Sequence, residues 1–362
     1  MSLTKKIKVL IVDDSVLFRT QLQKALDPCQ ELEVVGTAKN GAIALEKIEE
    51  LSPDLCILDV EMPVMDGLTT LKNIKTKGYK TKVIMFSSHS LDGAEKTIDA
   101  MTLGAIDFLA KPSLSSISDD PAKLIRDKIL PKINSIFKIV DHVNFQPKIS
   151  TQPVIKKPDF NWSLFKPEIL VIASSTGGPS ALIELFSELK SHIPFPILIA
   201  QHMPPLFTAS LAERLGKLNG KVAGEAKNGE ILKPNQIYVV PGDYHLNLTG
   251  SRSETTVLLN QGPHRNYVRP CADYLFETAA SIYKHNVLSV VLTGMGRDGC
   301  DGALAVKEQN GAVLIQNEQT CAVFGMPGAV YATGQYDYIE SPKNLALKIE
   351  LILKGKGMHH VA

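Results

Sequence analysis

No Cys-x-x-Cys pair occurs in the 362-residue sequence, and its five cysteines, at 29, 56, 271, 300 and 321, are dispersed. An odd, scattered set suits neither a disulfide framework nor a cysteine-rich zinc site, and it points to a reducing compartment, the cytoplasm. No stretch approaches the ~18 consecutive apolar residues of a membrane span. The opening Met1-Ser2-Leu3-Thr4-Lys5-Lys6 lacks the apolar core of a signal peptide, so direct membrane insertion is not expected. A surplus of one charge is missing too: 39 Lys+Arg against 38 Asp+Glu leave +1. Nothing in that balance argues for a nucleic-acid partner or a solvating acidic tail. What remains is ordinary globular composition, 44% hydrophobic and 21% charged, with length for two domains or three.

Charge divides the chain. Residues 126–167 carry eight basic and three acidic side chains, whereas 1–125 and 168–362 are each slightly acidic. The middle stretch also holds Pro131, Pro147, Pro153, Pro158 and Pro167. It reads as a terminal amphipathic helix followed by a basic, semi-extended linker over about 140–167. Before it, five short apolar runs alternate with helical patterns: 7–12, 33–37, 55–58, 82–86 and 105–109. After it, 168–173, 196–200, 287–293 and 312–315 read as strands, with helices at 179–189, 271–283 and 302–309. Shorter β-like pieces lie at 237–240, 244–248 and 256–260. The expectation is two doubly wound α/β domains, 1–125 and 168–362, the second with an antiparallel insert. Ligands then belong at the carboxyl ends of the strands.

In the first domain Asp13 and Asp14 follow the first strand, Asp59 the third, Ser87 the fourth and Lys111 the fifth. Three carboxylates on one rim repel unless a cation neutralises them, and Mg²⁺ with oxygen ligands is the simplest solution. A lysine and a hydroxyl alongside would hold phosphoryl oxygens, which leaves Asp59 as a nucleophile able to form an acyl phosphate. The segments Val12-Asp13-Asp14-Ser15, Leu58-Asp59-Val60-Glu61-Met62-Pro63 and Ala110-Lys111-Pro112 resemble the receiver domain of two-component response regulators. The resemblance implies a flavodoxin-like fold, phosphorylation of Asp59 by a histidine kinase, and Mg²⁺ held by Asp13, Asp14, Asp59 and the Glu61 carbonyl. It also makes Ser87 and Phe108 the switch positions.

In the second domain Ser174-Ser175-Thr176-Gly177-Gly178-Pro179, Gln201-His202-Met203-Pro204 and Gly294-Met295-Gly296-Arg297-Asp298-Gly299 each follow a strand. Together they supply a serine, a base and a carboxylate to orient it. Gly177-Gly178 allow close backbone approach, and the turn at Gly294 and Gly296 could aim free N–H groups at an oxyanion. Ser174 is a poor nucleophile, because adjacent residues leaving a strand point to opposite sides. The phosphate-binding Gly-Lys-Ser/Thr pattern and His-Glu-x-x-His are both absent; Gly294-x-Gly296-x-x-Gly299 matches a dinucleotide motif in its letters alone. Cys300 as a thiol nucleophile is the weaker choice.

With Pro241-Gly242-Asp243-x-His245 and Val323-Phe324-Gly325-Met326-Pro327, these segments resemble the catalytic domain of chemotaxis protein-glutamate methylesterases, over about 168–350. The resemblance implies a Rossmann-like hydrolase with Ser175 as nucleophile, His202 as base, Asp298 as orienting carboxylate and the Met295 N–H as oxyanion donor. It implies hydrolysis of glutamate γ-methyl esters, and deamidation of certain glutamines, on methyl-accepting chemoreceptors, with no cofactor for the esterase. Ala173 departs from the family, which most often has glycine there. The alternative is a receiver-controlled binding regulator without hydrolytic activity. Arg265, Arg269 and His264 are candidates to line a path for acidic receptor helices, with surface salt bridges an equal reading. Trp162 and Phe165 are expected to pack the linker onto the second domain rather than to bind a receptor tail.

Overall fold

In a computed structural model, which describes residues 6–112, 120–139 and 160–355, the apolar runs become parallel strands. Most of the linker, 140–159, lies outside the described residues. Contacts divide the chain into two compact units, one before residue 143 and one after it.

The first unit holds β1 (Ile7–Val12), α1 (Val16–Leu26), β2 (Leu32–Ala38), α2 (Gly41–Leu51), β3 (Leu55–Asp59), α3 (Gly67–Thr76), β4 (Lys82–Ser87), α4 (Leu91–Thr102), β5 (Asp107–Ala110) and α5 (Pro121–Phe137). The strands pair in parallel in the order β2-β1-β3-β4-β5. β3 is buried along its whole length, as a strand covered on both faces must be. Short polar side chains start the helices: Asn40, Asp66 and Ser90 accept the N–H groups of Ile43, Thr69 and Gly93, satisfying donors the helices cannot. Gly67 is needed for close approach, since a Cβ there would sit 2.2 Å from the Asp59 carbonyl. The loop after β3 is therefore folded directly against the strand end.

The second unit holds β6 (Ile169–Ser174), α6 (Gly178–Glu188), β7 (Ile197–Gln201), α7 (Phe207–Asn219), β8 (Val222–Glu225), β9 (Gln236–Val239), β10 (His245–Ser251), β11 (Glu254–Asn260), α8 (Ala272–Tyr283), β12 (Val287–Val291), α9 (Cys300–Glu308), β13 (Ala312–Gln316), α10 (Met326–Thr333), β14 (Tyr338–Glu340) and α11 (Pro342–Leu353). Seven strands pair in parallel in the order β14-β13-β12-β6-β7-β9-β8. The antiparallel insert is the β10–β11 hairpin, formed by the pieces at 244–248 and 256–260, while the piece at 237–240 overlaps β9, a parallel strand of the main sheet. A short apolar run looks the same in either setting. The chain winds one way from β6 to β7 and the other way from β6 to β12, so a switch point opens beyond the carboxyl end of β6.

Trp162 and Phe165 pack as expected within the second unit. The Lys348 ammonium lies 4.1 Å from the Trp162 ring centroid, and Phe160 and Phe165 rings lie edge-on at 5.2 Å. Among the described residues no helix is long and apolar enough to cross a membrane.

Candidate active site

At the switch point three strand ends converge. β6 and β7 are in register through Ser174 and Gln201, so Ser175 and His202 leave the sheet side by side. The Ser175 N–H donates to the Thr293 carbonyl beyond β12, and the His202 N–H donates to the Ser174 carbonyl. The turn after β12 presses on Ser175: a Cβ on Gly294 would meet the Ser175 Cβ at 2.8 Å. Only glycine fits there. Ser174 points the other way, fully buried, with its hydroxyl donating to Gln201 Oε1 at 2.6 Å.

His202 Nε2 and Asp298 Oδ2 are 2.7 Å apart. Asp298 is buried, and four more donors reach it: the Ala272 N–H at 2.6 Å, the Asp273 N–H at 3.3 Å, the Cys271 thiol at 2.8 Å and the Asn266 amide at 3.2 Å. Two of these are unpaired N–H groups of the first turn of α8, whose positive end faces the carboxylate. Burial alone would raise the Asp298 pKa, but the bonds from His202, Cys271 and Ala272 outweigh it and hold the carboxyl well below its usual range. Burial, and then the Asp298 charge, push the Cys271 thiol up, so it stays protonated as a donor. Asp273, behind Asp298, is pushed up to about 6 by burial and by the Asp298 charge. Cys271, Asp273 and Asp298 together could face a cation, but their ligand atoms are engaged by one another and by backbone N–H groups.

No hydrogen bond joins Ser175 Oγ to His202 among the described residues; bonds of this kind often tighten only in the reacting complex. The Met295 N–H likewise has no acceptor among them, in a turn where Gly296 adopts φ +76°. Ala173 is buried in β6, and its Cβ would stand 3.2 Å from a Cβ on Gly299. The methyl group is accommodated because Gly299, at φ +83°, carries none. Cys300 is buried in the first turn of α9. Arg265 and Arg269 do not form a free basic path. Arg265 forks onto Glu277 at 2.8 and 2.6 Å, and Arg269 binds Asp243 at 2.9 Å. Asn266, Cys271 and Asp273 were invisible in the sequence as site residues; a helix start after an Arg-Pro pair was the only available signal.

The rim of the first unit gathers Asp13, Asp14 and Asp59, whose ligand oxygens lie within 4.8 Å of one another. The Lys111 ammonium is 2.8 Å from both Asp13 Oδ2 and Asp59 Oδ1. Asp13 Oδ2 is fully buried and has no other polar partner. Burial, then the Asp13 charge, raise Asp59 to about 6 despite Lys111. This is a hard-oxygen donor set with uncompensated charge, and it fits a divalent cation. Ser87 is buried at the end of β4, but its hydroxyl donates to the Gly93 carbonyl at 3.0 Å rather than facing Asp59. Phe108 is buried in β5, and the Glu61 side chain is drawn aside to Lys96 at 2.8 Å.

Residues 9–118 match the response regulator receiver domain and residues 170–349 the CheB methylesterase family. A protein-glutamate methylesterase/protein-glutamine glutaminase of Trichodesmium erythraeum is 40% identical over 95% of this chain and 98% of its own. A protein of the same name from Thermotoga maritima is 41% identical over 92% and 94%. The crystal structure of the Thermotoga maritima CheB methylesterase catalytic domain superposes with a TM-score of 0.50 and 42% identity, over 51% of this chain and 99% of that one. With a receiver and a hydrolase domain matched in the same order over nearly its full length, the chain belongs to the protein-glutamate methylesterase/protein-glutamine glutaminase family.

Proposed function

We propose that the chain is a phosphorylation-regulated hydrolase that removes methyl groups from glutamate γ-methyl esters, and deamidates certain glutamines, on the cytoplasmic helices of methyl-accepting chemoreceptors. The observation that carries this reading is the buried Asp298–His202 pair, 2.7 Å apart, standing beside the serine that leaves the neighbouring strand. Ser175 is the nucleophile, His202 the base and Asp298 the orienting carboxylate. With Nε2 committed to Asp298, the nitrogen left for proton transfer is Nδ1. His202 takes the Ser175 proton as Oγ attacks the ester carbonyl, and the Met295 N–H receives the developing oxyanion. His202 then returns the proton to the leaving methoxide, and methanol departs. A water deprotonated by His202 hydrolyses the acyl-enzyme to glutamate. Side chains, one backbone donor and water suffice for this chemistry.

In the receiver, Asp59 is the phosphoryl acceptor, with a histidine kinase as donor. Asp13, Asp14, Asp59 and the Glu61 carbonyl would hold Mg²⁺, which neutralises phosphoryl charge when bound. Lys111 pairs with the incoming oxygens, Ser87 exchanges its Gly93 partner for one of them, and Phe108 occupies the coupled aromatic position. The test is methanol release from methyl-labelled chemoreceptor by the intact chain with a small-molecule phosphodonor. Release that persists in Ser175→Ala, or absence of release from the unmodified chain, would overturn the reading.

A further inference from the structure

The segment between β11 and α8 supports Asp298 through Asn266 and Cys271, and it also carries a tightly held turn whose exposed residue that support does not use. Val268 N–H donates to the Arg265 carbonyl at 3.1 Å, closing a tight turn around Asn266 and Tyr267. Both central residues are left-handed, at φ 54° and φ 64°. Two consecutive positive φ values define a type I′ turn, which favours Asn-Gly. Asparagine is in its place; the glycine is not. Tyrosine at the second position meets the steric cost of a Cβ in left-handed backbone, and its side chain recovers nothing by burial, being 98% exposed.

The turn holds this conformation because its neighbours fix it. Arg265 forks onto Glu277 and lies 5.0 Å from the Tyr274 ring. Arg269 binds Asp243 and the carbonyls of Gln261 and Gly262 at 3.0 and 2.9 Å. Between them the Asn266 amide donates to Asp273 at 2.8 Å and to the triad carboxylate of Asp298 at 3.2 Å. A rigid turn therefore lifts a phenol ring into solvent one residue away from a side chain that touches Asp298. Strained backbone that its surroundings over-determine concentrates at functional sites. Tyrosine is also a preferred binding anchor, with large area and few rotors to freeze.

We propose that Tyr267 is a docking contact for the protein substrate, its ring packing against the receptor helix whose modified glutamate enters the Ser175 crevice. The proposal rests on the esterase reading and adds how that site would select a helix over any small ester. The occupant follows from continuity: the turn is anchored on Asp298 through Asn266, so a helix that brings a glutamate to Ser175 and the His202–Asp298 pair approaches the turn as well. A helix that presents one glutamate also presents its neighbours three and four residues away, and these are the positions an exposed ring beside the Asn266–Asp298 contact would meet.

The test compares Tyr267→Gly and Tyr267→Phe in the full chain, with a small-molecule phosphodonor. Two substrates are used, methyl-labelled chemoreceptor and the γ-methyl ester of N-acetylglutamate amide. For Tyr267→Gly the ratio of kcat/KM for receptor to that for small ester should fall about tenfold or more, mainly through KM. Its thermal midpoint should stay level or rise, because glycine relieves the turn. Tyr267→Phe should keep the ratio within about threefold, since it keeps the ring. An unchanged ratio in Tyr267→Gly overturns the proposal. So does an equal loss on both substrates with a lowered midpoint, which would mark the tyrosine as part of the turn's structure. Failure of the unmodified chain on both substrates overturns the esterase reading itself.

Discussion

Two adjacent serines allow chemistry and packing to be tested one residue apart. Ser175→Ala should reduce methanol release by up to roughly 10⁶-fold, the cost of losing a triad nucleophile, with no change in thermal midpoint. Ser174→Ala should do the reverse. It strips the buried Gln201 Oε1 of its 2.6 Å donor, at about 1–3 kcal/mol of stability, while a modest loss of rate reflects the slackened Gln201. A dead Ser174→Ala beside an active Ser175→Ala would reverse the assignment. Asp298→Asn should fold yet lose on the order of 10⁴ in kcat, because an amide favours the wrong histidine tautomer; equal turnover would remove Asp298 from the triad. Sequence could nominate Ser175 and His202 because they stand directly past β6 and β7, and Asp298 because it lies in the glycine-rich turn that follows β12, where an α/β sheet places its chemistry. The support of Asp298 was not legible. Asn266 and Cys271 act through a left-handed turn and a helix start 27 or more residues away in sequence, and no local pattern marks such contacts.

At the scale of elements, both edges of the first sheet were legible, whereas in the second sheet the central strands were legible and the edges were not. β12 and β13 are buried along their whole lengths and read as unbroken apolar runs. β8 and β14 close the two edges of the same sheet, contain no fully buried residue, and so carry no such run. The ends of β1, β3 and β5 in the first unit gather Asp13, Asp14, Asp59 and Lys111 at one rim, and that has an energetic cost. Asp59 titrates near 6 rather than 3.8, a difference worth about 3 kcal/mol. A folded-state pKa raised above the unfolded one favours folding at low pH, and the advantage is lost as pH rises through about 6. In metal-free buffer at pH 7.5, Asp59→Asn should therefore raise the unfolding midpoint of the receiver by several degrees. The gain should vanish below about pH 4, where the unmodified carboxyl is protonated in both states. Mg²⁺ should stabilise the unmodified receiver and act much less on the variant. Thermal melts of the intact chain across pH 4–8, with and without Mg²⁺, check all three; a midpoint that Asp59→Asn leaves unmoved at pH 7.5 sinks the account.

At the scale of the whole molecule, two sheets carry two rims on one chain. The charge break at 126–167 spans the division between the units at residues 142 and 143, but it also takes in most of α5, which belongs to the first unit. The aromatic cluster of Phe160, Trp162 and Phe165 fastens the end of the connecting stretch to the hydrolase unit, so any tether acts from a defined point. A receiver attached to a hydrolase regulates it either by covering the crevice or by completing it, and the two differ in what the isolated hydrolase does. We expect covering. In that case a fragment of about 160–362, which retains the aromatic fastening, should release methanol faster than the intact unphosphorylated chain. Asp59→Asn should hold the intact chain at its low rate even with a phosphodonor and Mg²⁺. Charge arriving at Asp59 would draw Lys111 away from its bridging position between Asp13 and Asp59, and Ser87 away from the Gly93 carbonyl at the start of α4, repacking that face of the receiver. A covered state favoured by only ~1.4–2.8 kcal/mol gives a 10–100-fold effect, well within what a modest interdomain interface supplies. Rates for the fragment, the intact chain and the intact chain with phosphodonor separate the alternatives. A fragment no faster than the unphosphorylated whole rules out covering. If only the phosphorylated whole is fast, the receiver must instead complete the site around Ser175.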